Sequence, residues 1–236
     1  MPIMKRKSPG KRRKSAKVVK PSLYKNNELV NKYSLRLLAA RLHDGPVQSM
    51  AAMAMEADIA NRLLSQDPAA AANELGKLKE LARRTSRELR HLQFTLRPQS
   101  LESAGLAAAL DDLAAHDYEL HEDAVYLEVG PGSEKGLTLA QKEALFQIAA
   151  DAVSNARKFG LATKIEINLK RSNKKLLLEV RDYGSGYDLE KENNQKSDLG
   201  FSLRLMRLRA RLLGVRLKIE TQAGLGTVVR VTVPIG

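Results

Sequence analysis

Arg41-Leu42-His43-Asp44-Gly45-Pro46-Val47-Gln48 lies in the middle of an apolar pattern that runs from Asn26 to about Ser65. Leu35, Leu38, Leu42, Pro46, Met53, Ala57, Ala60 and Leu64 fall on one stripe of a helix of 3.6-residue period, which predicts one long helix. Asp67-Pro68 interrupts it. A second, Ala-rich helix is predicted from about Ala69 to Leu96, with Leu75, Leu78, Ala82, Leu89, Leu92 and Leu96 on its seam, and Arg97-Pro98 closes it. Two long amphipathic helices joined by a short turn make a hairpin with too little area opposite its stripe to bury it. Dimerisation into a four-helix bundle resolves this, and packing on the rest of the same chain is the alternative.

Beyond Ser100 helices and strands alternate. Helices are predicted at Leu106 to about Tyr118, Leu139 to Lys158 and Phe201 to Leu213. Strands are predicted at Val125 to Val129, Lys164 to Lys170, Lys175 to Arg181, Arg216 to Thr221 and Thr227 to Val233. Gly214 stops the last helix. The last four strands come as two consecutive pairs, which predicts an α+β sandwich with a mixed sheet. The division expected is a basic tail (1–25), a helical hairpin (26–100) and an α/β domain (101–236).

The 236 residues include no Cys and no Trp, 43% are hydrophobic and 28% charged. Disulfide scaffolds and thiolate metal sites are thereby excluded. The formal charge is +13. Residues 1–25 hold ten Lys or Arg and no acid, which leaves 30 basic against 27 acidic residues in the remainder. The basicity is a tail, expected to be disordered and able to meet nucleic acid or an anionic membrane surface. Neither a signal peptide nor an 18-residue apolar span is legible, so a cytoplasmic location is expected.

His43 follows Leu42 by one residue, about 100° round the helix, and is expected at the edge of the seam, exposed. An exposed imidazole is largely neutral at physiological pH and keeps a ring nitrogen free to act as a nucleophile. Asp44 can accept a hydrogen bond from the other ring nitrogen and offset developing charge. Gln48, four residues after Asp44, shares its face, so the two could hold a water. Pro46 predicts a bend. On spacing alone, a His beside an Asp is more often ordinary surface.

Asp182-Tyr183-Gly184-Ser185-Gly186 follows the strand. Its glycines let backbone approach a flat ligand, and the Asp can accept from an exocyclic amine such as that of adenine. It is equally a plausible hairpin turn. Gly200, expected at a helix N-terminus, suits a phosphate. On the Leu139–Lys158 helix, Asp151, Asn155 and Lys158 share one face. An Asn oxygen suits Mg²⁺ held between phosphates, and Lys158 could neutralise phosphate charge.

The order of motifs resembles a two-component sensor histidine kinase of the nitrate-sensor-like subfamily. H-D-x-x-x-Q is followed by L-R-P-x-x-L-x-x-x-G-L, N-A-x-K, D-x-G-x-G, G-x-x-L-x-x-M and G-x-G-T-x-V-x-V, over about residues 30–235. The resemblance implies a homodimeric phosphoacceptor hairpin followed by a GHKL-type ATP-binding domain. His43 would then be the phosphoacceptor, Asp44 its base or orienting partner, and Gln48 the residue that positions water for dephosphorylation. Asn155, with Asp151 beside it, would hold Mg²⁺. Asp182 would hold adenine, Gly184, Gly186 and Thr227 would shape the ATP pocket, Gly200 would open the phosphate-binding helix and Lys158 would face the phosphates. The implied partners are a response regulator with a LuxR-type DNA-binding domain and an unknown sensory element. Three positions depart from the pattern. Asp151 stands where Glu is usual, Phe159-Gly160 where His-Ala is usual, and Ser202 where a second Gly is usual. Two other readings are a catalytically impaired regulator acting as phosphatase or docking scaffold, and a nucleic-acid-associated protein using its basic tail.

Overall fold

The computed structural model describes residues 21–96, 98–189 and 197–235. Residues 1–20 of the basic tail, and the segment 190–196, lie outside the described residues. Helix α1 (Pro21–Leu42), a π-helical turn (His43–Val47) and α2 (Gln48–Leu63) run on as one helical path. The bend expected at Pro46 takes the form of this wider turn. Its missing N–H and its ring cannot be accommodated in an α-helical ladder, and the extra residue of a π-turn relieves the clash. Helix α3 (Pro68–Leu96) returns antiparallel against α2. Asp67 caps its start by accepting a hydrogen bond from the N–H of Ala70.

One apolar face of the hairpin is covered within the chain, where Leu37, Pro46, Ala60 and Ala71 are buried. Other apolar residues are bare, at intervals of seven or fourteen along α1 and along α3. Leu35 (67% exposed) and Leu42 lie on α1, and Leu75, Leu89 and Leu96 on α3. The stripe predicted from sequence therefore mixes two seams. Leu35, Leu42 and Leu64, expected to be buried, are exposed in the single chain, while Leu37 takes the inward position.

After the short helix α4 (Gln99–Ser103), for which no helix is predicted from sequence, come α5 (Leu106–His121), β1 (Val125–Val129), α6 (Leu139–Lys158), β2 (Ile165–Ser172) and β3 (Lys175–Asp182). They are followed by α7 (Asp198–Leu212), β4 (Arg216–Gln222) and β5 (Gly226–Pro234). The sheet order is β1-β2-β3-β5-β4, parallel only between β1 and β2. This is the mixed α+β sandwich expected. Period-2 alternation buries Ile165, Ile167 and Leu169 of β2 and Val229, Val231 and Val233 of β5 against Phe146, Leu110, Leu113, Leu203 and Met206 from the helices. No helix among the described residues is long and apolar enough to cross a membrane.

Two helix starts position the site. Thr138 and Gln141 form a reciprocal capping box that opens α6. Helix α7 starts at Asp198, three residues before the predicted Phe201. Ser197 caps it by accepting the N–H of Gly200, so Gly200 lies inside the first turn and does not begin the helix.

Candidate functional site

On the helical path, His43 projects into solvent with its side chain 72% exposed. Its Nδ1–H donates to Asp44 Oδ1 at 3.1 Å. A carboxylate accepts only from the tautomer protonated at that nitrogen, which leaves the Nε2 lone pair free. The hydrogen bond from His43 is the chief reason why the Asp44 carboxyl lies below the ordinary carboxylate range, with Lys158 adding to it. Gln48 is exposed at the first position of α2, one turn beyond Asp44.

The strand parity that buries Leu176, Leu178 and Val180 also turns Asp182 inward at the end of β3, where it is buried. Its Oδ1 accepts the N–H of Gly184 at 2.9 Å, which tightens the turn. Glycine is required around it by contact. A Cβ on Gly184 would overlap the carbonyl oxygen of Gly160, and one on Gly186, at φ +64°, would overlap that of Gln222. The N–H of Ser185 donates to Gly160 O at 2.7 Å, so the glycine turn rests on the C-terminal end of α6. Thr227 is buried, with its hydroxyl 3.3 Å from that of Thr221. Thr221 in turn accepts the N–H of Tyr187 at 3.0 Å.

On α6, buried Asn155 donates from Nδ2 to Ser202 Oγ at 3.0 Å, and its Oδ1 keeps acceptor capacity. Ser202 thus holds this amide in place. Asp151 is buried between two arginines, Arg41 of α1 at 3.3 Å and Arg209 of α7. Lys158 at the end of α6 donates to Asp198 Oδ2 at 3.2 Å and to Asp44 Oδ2 at 3.5 Å. No three His, Asp or Glu side chains are grouped around a metal position among the described residues. A Mg²⁺ ion here would take phosphate oxygens and water together with a hard protein oxygen, and Asn155 Oδ1 is a donor of that kind.

Several further groups support the site. Gly226 is one: at φ +79°, a Cβ there would stand 2.8 Å from Asp182 Oδ1 and overlap the Asp182 carbonyl. It stands in the quoted G-x-G-T, so the signal was present. Ser197 and Asp198 looked like loop. Arg157 reads as an ordinary helix-terminal cation, yet its side chain is 7% exposed. It donates from Nε to buried Asp117 at 2.9 Å and also binds the carbonyls of Ala162 and Asp123.

A family model described as "Histidine kinase" matches residues 36–101, and one described as "Histidine kinase-, DNA gyrase B-, and HSP90-like ATPase" matches residues 140–236. An uncharacterized sensor-like histidine kinase of Chloroflexus aurantiacus is 37% identical over 201 residues, 84% of this chain and 34% of that protein. The signal transduction histidine-protein kinase/phosphatase DegS of Bacillus subtilis is 28% identical over 84% of this chain and 52% of its own length. The chain thus spans a third to a half of these curated relatives. Among solved structures, a bacterial phosphotransferase shares the fold with a TM-score of 0.55 at 12% identity, covering 83% of this chain and 94% of that one.

Proposed function

The chain belongs to the sensor histidine kinases, in their nitrate-sensor-like branch, and from that premise we propose that it uses ATP to phosphorylate His43 and passes the phosphoryl group to an aspartate of a response regulator. In this reading His43 Nε2 attacks the γ-phosphorus as the bond to the bridging oxygen of ADP breaks. Asp44, accepting from Nδ1–H, offsets the positive charge that grows on the ring. Phosphoryl transfer needs positioning and charge compensation more than covalent assistance from the protein, which suits a site made of a few polar groups and close backbone.

Asp182 would accept from the adenine amine, while Gly184, Gly186 and Thr227 shape the floor beneath it. Lys158 and the first turn of α7, with Gly200 in it, would face the phosphates. When bound, Mg²⁺ would neutralise charge on the phosphate oxygens. Asn155 would hold it through Oδ1, and Asp151 would reach it only after parting from an arginine. Gln48 would orient water for dephosphorylating the same regulator, a two-way role in keeping with the name of the Bacillus relative. The bare leucines of α1 and α3, spaced by seven or fourteen residues, support a homodimer built as a four-helix bundle. The regulator would carry a LuxR-type DNA-binding domain, an unknown sensory partner would supply the input, and the reaction would run in the cytoplasm.

The observation that carries this reading is the exposed His43–Asp44 pair beside Lys158, with Lys158 also bound to the first residue of α7. Incubation with γ-labelled ATP and Mg²⁺, beside His43→Gln, tests it. An acid-labile, alkali-stable label absent from the variant is expected. No label on wild-type protein that binds ATP would refute it.

A further inference from the structure

We propose that each chain phosphorylates its own His43, the reaction running within one chain of the dimer. The inference rests on the kinase reading above and answers a question that reading leaves open: which ATP domain serves which histidine.

A continuous path of contacts joins nucleophile to phosphate-binding helix inside a single chain. His43 donates to Asp44, Lys158 donates to Asp44 and to Asp198, and Asp198 is the first residue of α7. Three residues before Lys158, Asn155 is bound to Ser202 in the second turn of that same helix. The nucleotide end of the α/β domain therefore already faces the histidine of its own hairpin.

The docking that produces this alignment is broad and uses both hairpin helices. From α1, the Arg36 guanidinium lies 4.0 Å from the ring centroid of Phe201, Tyr33 packs on the same ring at 5.7 Å, and Arg41 reaches buried Asp151. From α3, Phe94 meets Phe146 of α6 edge to face at 5.6 Å, and the Thr95 carbonyl accepts from Gln147 Nε2 at 2.6 Å. Phe146 belongs to the core of the α/β domain, so α3 is keyed into that core.

The connection between the halves is itself folded. Leu101 of α4 and Leu106 are buried, and the N–H of Leu106 donates to Glu134 at 2.8 Å. Serving the partner's histidine would require shedding all of these contacts and then rebuilding an equivalent set around the bundle. Serving its own leaves the aromatic and α4 contacts in place and asks for local adjustment at the paired Asp151 and at Lys158, whose side chain is 42% exposed and whose ion pairs are weak.

Dimers assembled from two differently tagged chains test the proposal. One carries His43→Gln with an intact nucleotide site, the other Asp182→Asn with an intact histidine, and both are given γ-labelled ATP and Mg²⁺. No label above the background of the His43→Gln homodimer is expected. A control pair joins a wild-type chain to one bearing both substitutions. It should label on the wild-type chain, to about half the level of the wild-type dimer. Label on the Asp182→Asn chain would show transfer between chains and overturn the proposal, as would an unlabelled control pair. Repeating the mixture with Asn155→Ala in place of Asp182→Asn guards against misfolding of one variant. An unlabelled wild-type homodimer would instead refute the kinase reading itself, so the two failures are distinguishable.

Discussion

His91 lies on α3 in the crevice between hairpin and α/β domain, whose charged lining also includes Arg41, Asp44, Arg84, Glu88, Asp117, His121, Arg157 and Lys158. Its Nδ1 is buried without a hydrogen-bond partner. Burial, assisted by the positive charge of Arg41, pushes its pKa down from 6.5 to about 4. The folded protein therefore keeps this ring neutral while the unfolded chain protonates it, so stability falls as pH drops below 6.5 and levels off only below about 4. Full displacement corresponds to about 3 kcal/mol, and at about pH 5 the unfolded state has already gained about 2 kcal/mol over its value near neutrality. Urea unfolding of wild type and His91→Leu at about pH 7.5 and pH 5 measures this difference. Leu stays neutral and fills similar space, so carboxylate titrations elsewhere cancel in the comparison. Wild type should lose about 2 kcal/mol more than the variant over this interval. Equal losses would refute the reasoning, since His91 would then be protonated as readily in the folded protein as in the unfolded chain.

Other substitutions probe the site and its supports. Gly226→Ala drives a methyl into Asp182, so ATP binding measured by calorimetry should weaken roughly tenfold or more, in line with about 1–3 kcal/mol of overpacking. Gly76→Ala in α3 meets nothing within 4 Å and should instead raise stability by about 1 kcal/mol in the same denaturation assay. Arg157→Ala strands the Asp117 carboxylate, whose side chain is 2% exposed, and should destabilise by about 3–5 kcal/mol in chemical denaturation. Ser202→Ala removes the acceptor for Asn155 Nδ2. Affinity for MgATP should then fall more than affinity for ATP in chelator, and equal falls would show that Ser202 does not act through Asn155.

Elements with strong local signals were legible in the sequence. β1 and α6 occupy the predicted residues because each is bounded by its own cues, a capping box opening α6 and a two-residue period in β1. Helix α7 begins early because Ser197-Asp198 caps it within a polar stretch that reads as loop. The burial of Leu37 is not readable locally, because Leu37 and Leu38 both satisfy helical spacing and what packs on α1 comes from the distant α7. The histidine box and the Asp182 turn are contiguous motifs, so each is readable in the sequence as a candidate. The partners of Asp151 could not be, since Arg41 lies 110 residues away and no local pattern links the two. Arg157 was invisible for the same reason, with Asp117 supplied by another helix.

His43 is the residue expected to receive phosphate. Mass spectrometry of protein incubated with ATP and Mg²⁺, digested and separated under alkaline conditions that preserve phosphohistidine, tests this directly. A single phosphoryl group on the peptide containing His43 is predicted, absent when Asp182→Asn replaces wild type. Phosphate on any other side chain, or none on a protein that binds ATP, would contradict it.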